Sequence, residues 1–227
     1  MNSLDYTIIT SKDGSHSLQV LDSSITFHSR HGAIQESLIV FINTGLLYFK
    51  NSYPNCRAIK IFEMGFGTGL NALLTAVEAS RINTHISYYS IDLHPLPNDL
   101  FLKLNYAGLL KVPELYKKIT ASPWEQPVSI TSFFDLNKIE SNLLSYSFVE
   151  EYDIIYFDAF APDDQPELWT AEMFTKVYNT LNPGGVLVTY FSKSAVRKNL
   201  QAVGFTVEKI PGPPGKREIL RAVKNKQ

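Results

Sequence analysis

The chain has 227 residues, 44% of them hydrophobic and 19% charged, with a formal net charge of −1. Those values exclude a disordered or fibrous chain and fit one soluble α/β domain with a modest appendage. A lone cysteine, Cys56, excludes an intrachain disulfide framework and a cysteine-cluster metal site. No apolar run is long enough to span a bilayer, and Met1 to Ser15 lacks a signal pattern, so a cytoplasmic protein without membrane contact is expected. The charge is uneven. From Lys176 onward there are ten Lys/Arg and two acids, a balance of +8, whereas the first 175 residues carry eleven bases and twenty acids, a balance of −9. A basic C-terminal face of this kind suits phosphate binding, although solvated helix and strand exteriors give the same count.

In chain order, residues 1–55 read as an N-terminal extension. Tyr6 to Ile9 and Leu18 to Leu21 flank Asp13-Gly14, a hairpin signal, and Ile25 to Phe27 suits another short strand. Ile34 to Thr44 is an apolar helical stretch, with Gly45 as its expected C-terminal cap. Just before it, His28, Arg30 and His31 form a polar cluster without metal-ligand spacing, and no metal is expected.

Residues 56–227 alternate strand and helix signals, which implies a mainly parallel sheet. Seven strands are predicted: 58–63, 86–91, 128–131, 153–157, 186–191, 205–210 and 218–223, the last two as an antiparallel pair. Short helices fill the proline-punctuated segment 95–127, and longer ones are expected over 170–181 and 192–203.

The first of these strands runs into Glu63-Met64-Gly65-Phe66-Gly67-Thr68-Gly69, and a helix pattern opens at Leu70. Alternating glycines permit a sharp turn and close ligand approach, beside unpaired N–H groups at the helix start. A dinucleotide fingerprint would place its third glycine at position 70; here it arrives at Gly69. An acidic residue two positions before Gly-x-Gly-x-Gly resembles instead the class I methyltransferases that use S-adenosyl-L-methionine. Ligands of open α/β sheets bind beyond the carboxyl ends of the strands, where Glu63, Asp92, Asp135 and Asp158 are all expected. Glu63 would hold the cationic amino-acid part of the cofactor, Asp92 both ribose hydroxyls, and Asp135 the adenine amino group with Phe134 as apolar neighbour. Each is equally consistent with a helix cap or a solvated strand end. Asp158 falls where the methyl group would be delivered, and a carboxylate there suits an amine acceptor, which must be oriented and deprotonated. Trp169 fits the acceptor pocket or, more ordinarily, a packing anchor. Lys216 and Arg217, after Gly215, fit phosphate contact or plain solvation.

Several stretches together carry a closer resemblance: Glu63 to Asn71 (EMGFGTGLN), Ser90 to Leu96 (SIDLHPL), Phe157 to Trp169 (FDAFAPDDQPELW), Pro183 to Gly185, Val196-Arg197 through Gly204-Phe205, and Gly215 to Leu220 (GKREIL). Gln35-Glu36 and Val40 to Ile42 add to them. The chain resembles the methyltransferase module of the bacterial bifunctional enzymes that complete 5-methylaminomethyl-2-thiouridine at the tRNA wobble position. That resemblance implies a class I, Rossmann-like fold, S-adenosyl-L-methionine as cofactor, and the amine of 5-aminomethyl-2-thiouridine in tRNA as acceptor. It implies Asp158 as catalytic residue. Cofactor contacts are expected from Glu63, Gly65, Phe66, Gly67, Gly69, Asn71, Asp92, Phe134 and Asp135. Substrate contacts are expected from Glu36, Phe160, Pro162, Trp169, Lys216 and Arg217. Asp92 departs from the glutamate expected there. A flavin domain does not fit this length, so methyl transfer alone is expected, with the aminomethyl precursor made by other enzymes. Competing readings are a small-molecule amine methyltransferase, an aminopropyltransferase of the spermidine synthase type, and a non-catalytic RNA-binding module.

Overall fold

A computed structural model describes residues 6–226. The first five residues of the extension expected over 1–55 lie outside that range. Strands β1 (Tyr6–Thr10) and β2 (His16–Val20) pair antiparallel around the Asp13-Gly14 turn. The expected third strand shrinks to one bridge, Thr26 to Gln19. Helix α1 (Ala33–Ser37) runs on through a π-helical stretch, Leu38–Leu47, into α2 (Tyr48–Ser52). Gly45 therefore sits inside the rod and does not cap it. Its role is close approach: a Cβ there would lie 3.0 Å from Val188 and 3.1 Å from Tyr156. The missing side chain lets the rod press onto the sheet.

Next come β3 (Ala58–Met64), α3 (Leu70–Arg81), β4 (His85–Asp92), and three short helices, α4 (Asn98–Lys103), α5 (Tyr106–Leu109) and α6 (Pro113–Ala121). A hairpin of β5 (Pro127–Thr131) and β6 (Phe134–Glu140) comes after them, then β7 (Tyr152–Phe157), a 3-10 turn over Pro166–Trp169, and α7 (Ala171–Thr180). The chain closes with β8 (Leu181–Thr189), α8 (Ser194–Ala202), β9 (Phe205–Pro211) and β10 (Glu218–Lys224). The main sheet has eight strands in the order β5-β6-β4-β3-β7-β8-β10-β9. From β6 to β8 the five central strands are parallel, whereas β5, β10 and β9 pair antiparallel.

This is the expected α/β fold with one strand more than the seven predicted. The extra strand is β6. The sequence pattern predicts a strand ending at Thr131, with Phe134-Asp135 just beyond its carboxyl end. In the structure the chain reverses at Ser132-Phe133 and pairs back. The strand that runs parallel to β4 thus begins at Phe134, which moves its carboxyl end to Glu140.

Both faces of the central strands are buried, as parallel sheets require. Ile59, Ile61, Ile154 and Tyr156 pack under the α1-to-α2 rod and α3, while Phe62, Met64, Ile155 and Phe157 pack under α7 and α8. Among the described residues no helix is long and apolar enough to cross a membrane.

Candidate active site

The parallel strands converge at their carboxyl ends on a cleft of about 220 Å³, partly open to solvent. Its floor is the turn from β3 into α3. Gly65, Gly67 and Gly69 all have positive φ, at 94°, 48° and 71°. A Cβ on Gly65 would come 3.2 Å from the Asp158 carbonyl oxygen, so the turn can lie against the end of β7 only without a side chain. Phe66 turns inward and packs edge-on against Trp124, ring centroids 5.7 Å apart. Asp92, at the end of β4, accepts the Gly67 N–H at 3.0 Å and the His94 N–H at 2.9 Å. The carboxylate therefore fixes the turn and still lines the cleft with lone pairs to spare.

Asp158 lines the opposite wall, where β7 ends. Asn71, in the first turn of α3, donates its amide to the Asp158 carboxylate at 2.8 Å. Behind them Glu63 is 1% exposed and accepts the Ser90 hydroxyl at 2.6 Å. It does not line the cleft, so its place is beneath the glycine turn, beside Asn71 and Asp158. Burial pushes the Glu63 carboxyl up to about 8. Burial, then the negative charges of Glu63 and Glu36, push that of Asp158 well above the usual carboxylate range. Asn71 Oδ1 is buried with no hydrogen-bond partner among the described residues.

The loop after Asp158 is pinned by three side chains. Tyr190 donates to the Ala159 carbonyl at 2.9 Å, the Phe160 N–H donates to Gln165 at 3.0 Å, and Trp169 Nε1 donates to the Phe160 carbonyl at 2.8 Å. Phe160 faces the cleft; Pro162 lies in the same loop outside the lining. Trp169 is 4% exposed and packs against Phe157, ring centroids 4.8 Å apart. It is a packing anchor that holds the loop, which corrects its expected place among the substrate contacts.

Two further expectations are corrected. Phe134 and Asp135 open β6 and stand at the amino ends of the strands, away from the cleft; Phe134 is core, and Asp135 pairs with His85 at 3.1 Å. The carboxyl end of β6 instead brings Ser141 and Asn142 to the cleft. Lys216 does not extend into solvent. Its ammonium is bonded to the buried Glu36 carboxylate and lies 3.9 Å from the centroid of the Tyr190 ring. The other Glu36 oxygen accepts the Ser29 N–H at 2.9 Å. Lys216 and Glu36 thus form an internal pair on the Asp158 side, and only Arg217 of the two loop bases is exposed.

The N-terminal extension supplies residues that no motif marks. Phe27 lies over Gly67, where a Cβ would meet its ring at 3.2 Å, and its edge meets Phe160 at 5.2 Å between centroids. It links the two walls of the cleft. His28 lines the cleft and shares a 2.8 Å hydrogen bond with the Thr68 hydroxyl; burial first of all pushes its imidazole down to about 4, so it is neutral at pH 7. Contact between the extension and the glycine turn is a tertiary fact with no local sequence signature.

These residues fit S-adenosyl-L-methionine. The glycine turn is a cradle that side chains would fill, Asn71 Oδ1 is an unused buried acceptor, and Asp92 offers lone pairs at the end of β4. Residues 126–225 match the family described as S-adenosyl-L-methionine-dependent methyltransferases. The chain is similar to the tRNA 5-methylaminomethyl-2-thiouridine biosynthesis bifunctional protein MnmC of Actinobacillus pleuropneumoniae, with 26% identity over all of this chain and 36% of that protein. Its counterpart from Pseudomonas entomophila is 30% identical over 84% of this chain and 31% of that protein. The chain spans about a third of the length of these curated relatives. Among solved structures, MNMC2 from Aquifex aeolicus superposes with a TM-score of 0.80 at 22% identity, covering 99% of this chain and 71% of that one. Spermidine synthase from Thermotoga maritima has the same fold, with a TM-score of 0.59 at 15% identity, covering 100% of this chain and 71% of that one. The fold is that of a class I methyltransferase.

Proposed function

We propose that this S-adenosyl-L-methionine-dependent methyltransferase acts on the amine of 5-aminomethyl-(2-thio)uridine at the wobble position of tRNA, giving the 5-methylaminomethyl nucleoside. The observation that carries the reading is Asp158: a carboxylate on the wall of the cleft where β7 ends, near Glu63 and Glu36. Such a site favours a cationic nitrogen over a neutral oxygen or carbon acceptor. The MnmC relatives named above supply the particular amine.

When bound, S-adenosyl-L-methionine supplies an electrophilic methyl on a sulfonium. Gly65 to Gly69, Asp92, Ser141 and Asn142 would hold it, with Asp92 toward the ribose hydroxyls. Glu63, whose buried carboxyl is raised to about 8, supports the turn from beneath. Asp158, oriented by Asn71, accepts a hydrogen bond from the acceptor amine and takes its proton, leaving the nitrogen lone pair free. Positive charge in the site draws the Asp158 carboxyl back down, so it is ionised when that proton must leave. Phe27 and Phe160 exclude water along the line of transfer. The described part of the N-terminal extension, residues 6–55, acts in this scheme as one wall of the site, packed on the domain that follows.

The test is mass spectrometry of wobble nucleosides after undermodified tRNA is incubated with the purified chain and S-adenosyl-L-methionine. Conversion of the aminomethyl to the methylaminomethyl nucleoside is expected. Methylation of free small amines in preference to tRNA would overturn the acceptor assignment.

A further inference from the structure

The loop that follows Asp158 spends its polar groups on its own shape, with one exception. The Asp164 and Gln165 N–H groups both donate to the Ala161 carbonyl at 2.8 Å, and the Gln165 carbonyl accepts the Leu168 N–H at 3.2 Å. This tight turn folds the Gln165 side chain back onto the start of the loop, where its amide oxygen accepts the Phe160 N–H at 3.0 Å. A main-chain N–H can only donate, so the oxygen of the Gln165 amide must face it and the NH2 group must face the other way. That NH2 group has no hydrogen-bond partner among the described residues.

Gln165 is half-buried and lines the cleft, and of the lining residues from Asp158 to Leu168 it alone carries a side-chain N–H. The others on that wall are the carboxylates Asp158 and Glu167 and the apolar Ala159, Phe160 and Leu168. The amide is also held firmly. Trp169 donates to the Phe160 carbonyl at 2.8 Å, so the main chain that Gln165 grips is tied on both sides. One short loop thus presents a proton-accepting carboxylate, a fixed amide donor and an aromatic ring to the cleft. A 5-aminomethylated uracil is the counterpart of that set. Its amine on C5 and its carbonyl oxygen on C4 sit on adjacent ring carbons, and its flat faces suit an aromatic neighbour.

We propose that Gln165 is a base-reading residue: its amide NH2 donates to the O4 carbonyl oxygen of the acceptor pyrimidine while Asp158 engages the neighbouring amine. The inference rests on the tRNA reading above and sharpens it, because it names the edge of the base that is read. Cytosine carries an amino group on C4 in place of the carbonyl, and would set donor against donor at this position. The site selects uracil by that mismatch as well as by the amine.

The experiment compares kcat/KM of the full chain on two synthetic anticodon stem-loops, carrying 5-aminomethyluridine or 5-aminomethylcytidine at the wobble position. The wild type should favour the uridine at least about fivefold, the cost of leaving one donor unpaired. Gln165→Glu keeps an oxygen for the Phe160 N–H and replaces the donor by an acceptor, so the preference should invert. Gln165→Ala removes the donor and the loop contact together and should bring the ratio to about one. The ratio is read within one protein, so a change in overall rate from the added charge or a loosened loop cancels. S-adenosyl-L-methionine affinity, measured on the same samples, reports intact folding. A wild type without preference, or a Gln165→Glu variant that keeps the wild-type preference, overturns the base-reading role and leaves the tRNA reading standing. A wild-type chain that methylates neither stem-loop sinks both.

Discussion

Carboxylates stand at both ends of the central sheet, and what faces them differs. At the amino ends Asp153 accepts the Lys60 N–H at 2.8 Å and the Asn182 amide at 2.9 Å, Asp135 pairs with His85, and Glu150 pairs with Lys60 at 2.6 Å. Each of these has a partner supplied by the fold. At the carboxyl ends Glu63 has the Ser90 hydroxyl, Asp92 has two backbone N–H groups, and Asp158 has one amide. None of the three has a cation within ion-pair distance among the described residues. Glu63 and Asp158, without a cationic partner, have their carboxyls pushed up by burial and favour the neutral form until a positive ligand arrives, which is how a binding site differs from a structural ion pair.

The strongest way to break this comparison is Asp158→Asn. Asparagine keeps the shape but takes no proton, so methyl transfer should fall about 100- to 10,000-fold while cofactor affinity holds. Single-turnover assays with calorimetry on the same protein separate the two, and raising the pH should partly restore the rate. Near-normal turnover at neutral pH would reduce Asp158 to a loop-ordering residue.

Glu63→Gln probes the buried charge by stability. The folded carboxyl sits at about 8, against roughly 4.3 in an unfolded chain. The folded state therefore binds more protons across that interval. Its stability is full below the unfolded value and declines as pH rises toward 8. The glutamine variant removes that slope, so thermal unfolding monitored between about pH 5 and 8.5 should show a flatter profile and a higher melting temperature at the alkaline end. A profile as steep as the wild type's would mean Glu63 is not the group that titrates.

Asp92→Ala should cost about 1.5 to 3 kcal/mol of cofactor binding, because it removes a charge-assisted contact and frees the Gly67 N–H that shapes the turn. Calorimetry giving an unchanged dissociation constant would place the ribose elsewhere.

Asp135→Ala should do least. Its half-exposed pair with His85 contributes about 0 to 1 kcal/mol to stability, and cofactor affinity should not move. A drop in that affinity would contradict the division between the two ends of the sheet.

The glycine turn, the alternation of strands and helices, and the placement of Asp92 and Asp158 are all legible in the sequence, because each depends on a few adjacent residues. A strand running into Gly-x-Gly-x-Gly has one low-energy way to turn, and a carboxylate that ends a parallel strand must point at the same edge as its neighbours. Asp135 is misplaced by local pattern because the hairpin at Ser132-Phe133 reverses the chain, and the apolar alternation of Phe134 to Glu140 gives a period without a direction. Trp169 looks the same in sequence whether it stacks on substrate or on Phe157; only its burial among Phe157, Phe174 and Phe191 decides. Lys216 carries the same ambiguity, settled by Glu36, a partner 180 positions away. His28 and Phe27 enter the site through the packing of the extension on the glycine turn. Local chemistry is written in neighbouring residues, while the partner of each charge and ring is fixed by contacts between segments far apart in the chain, which no local pattern encodes.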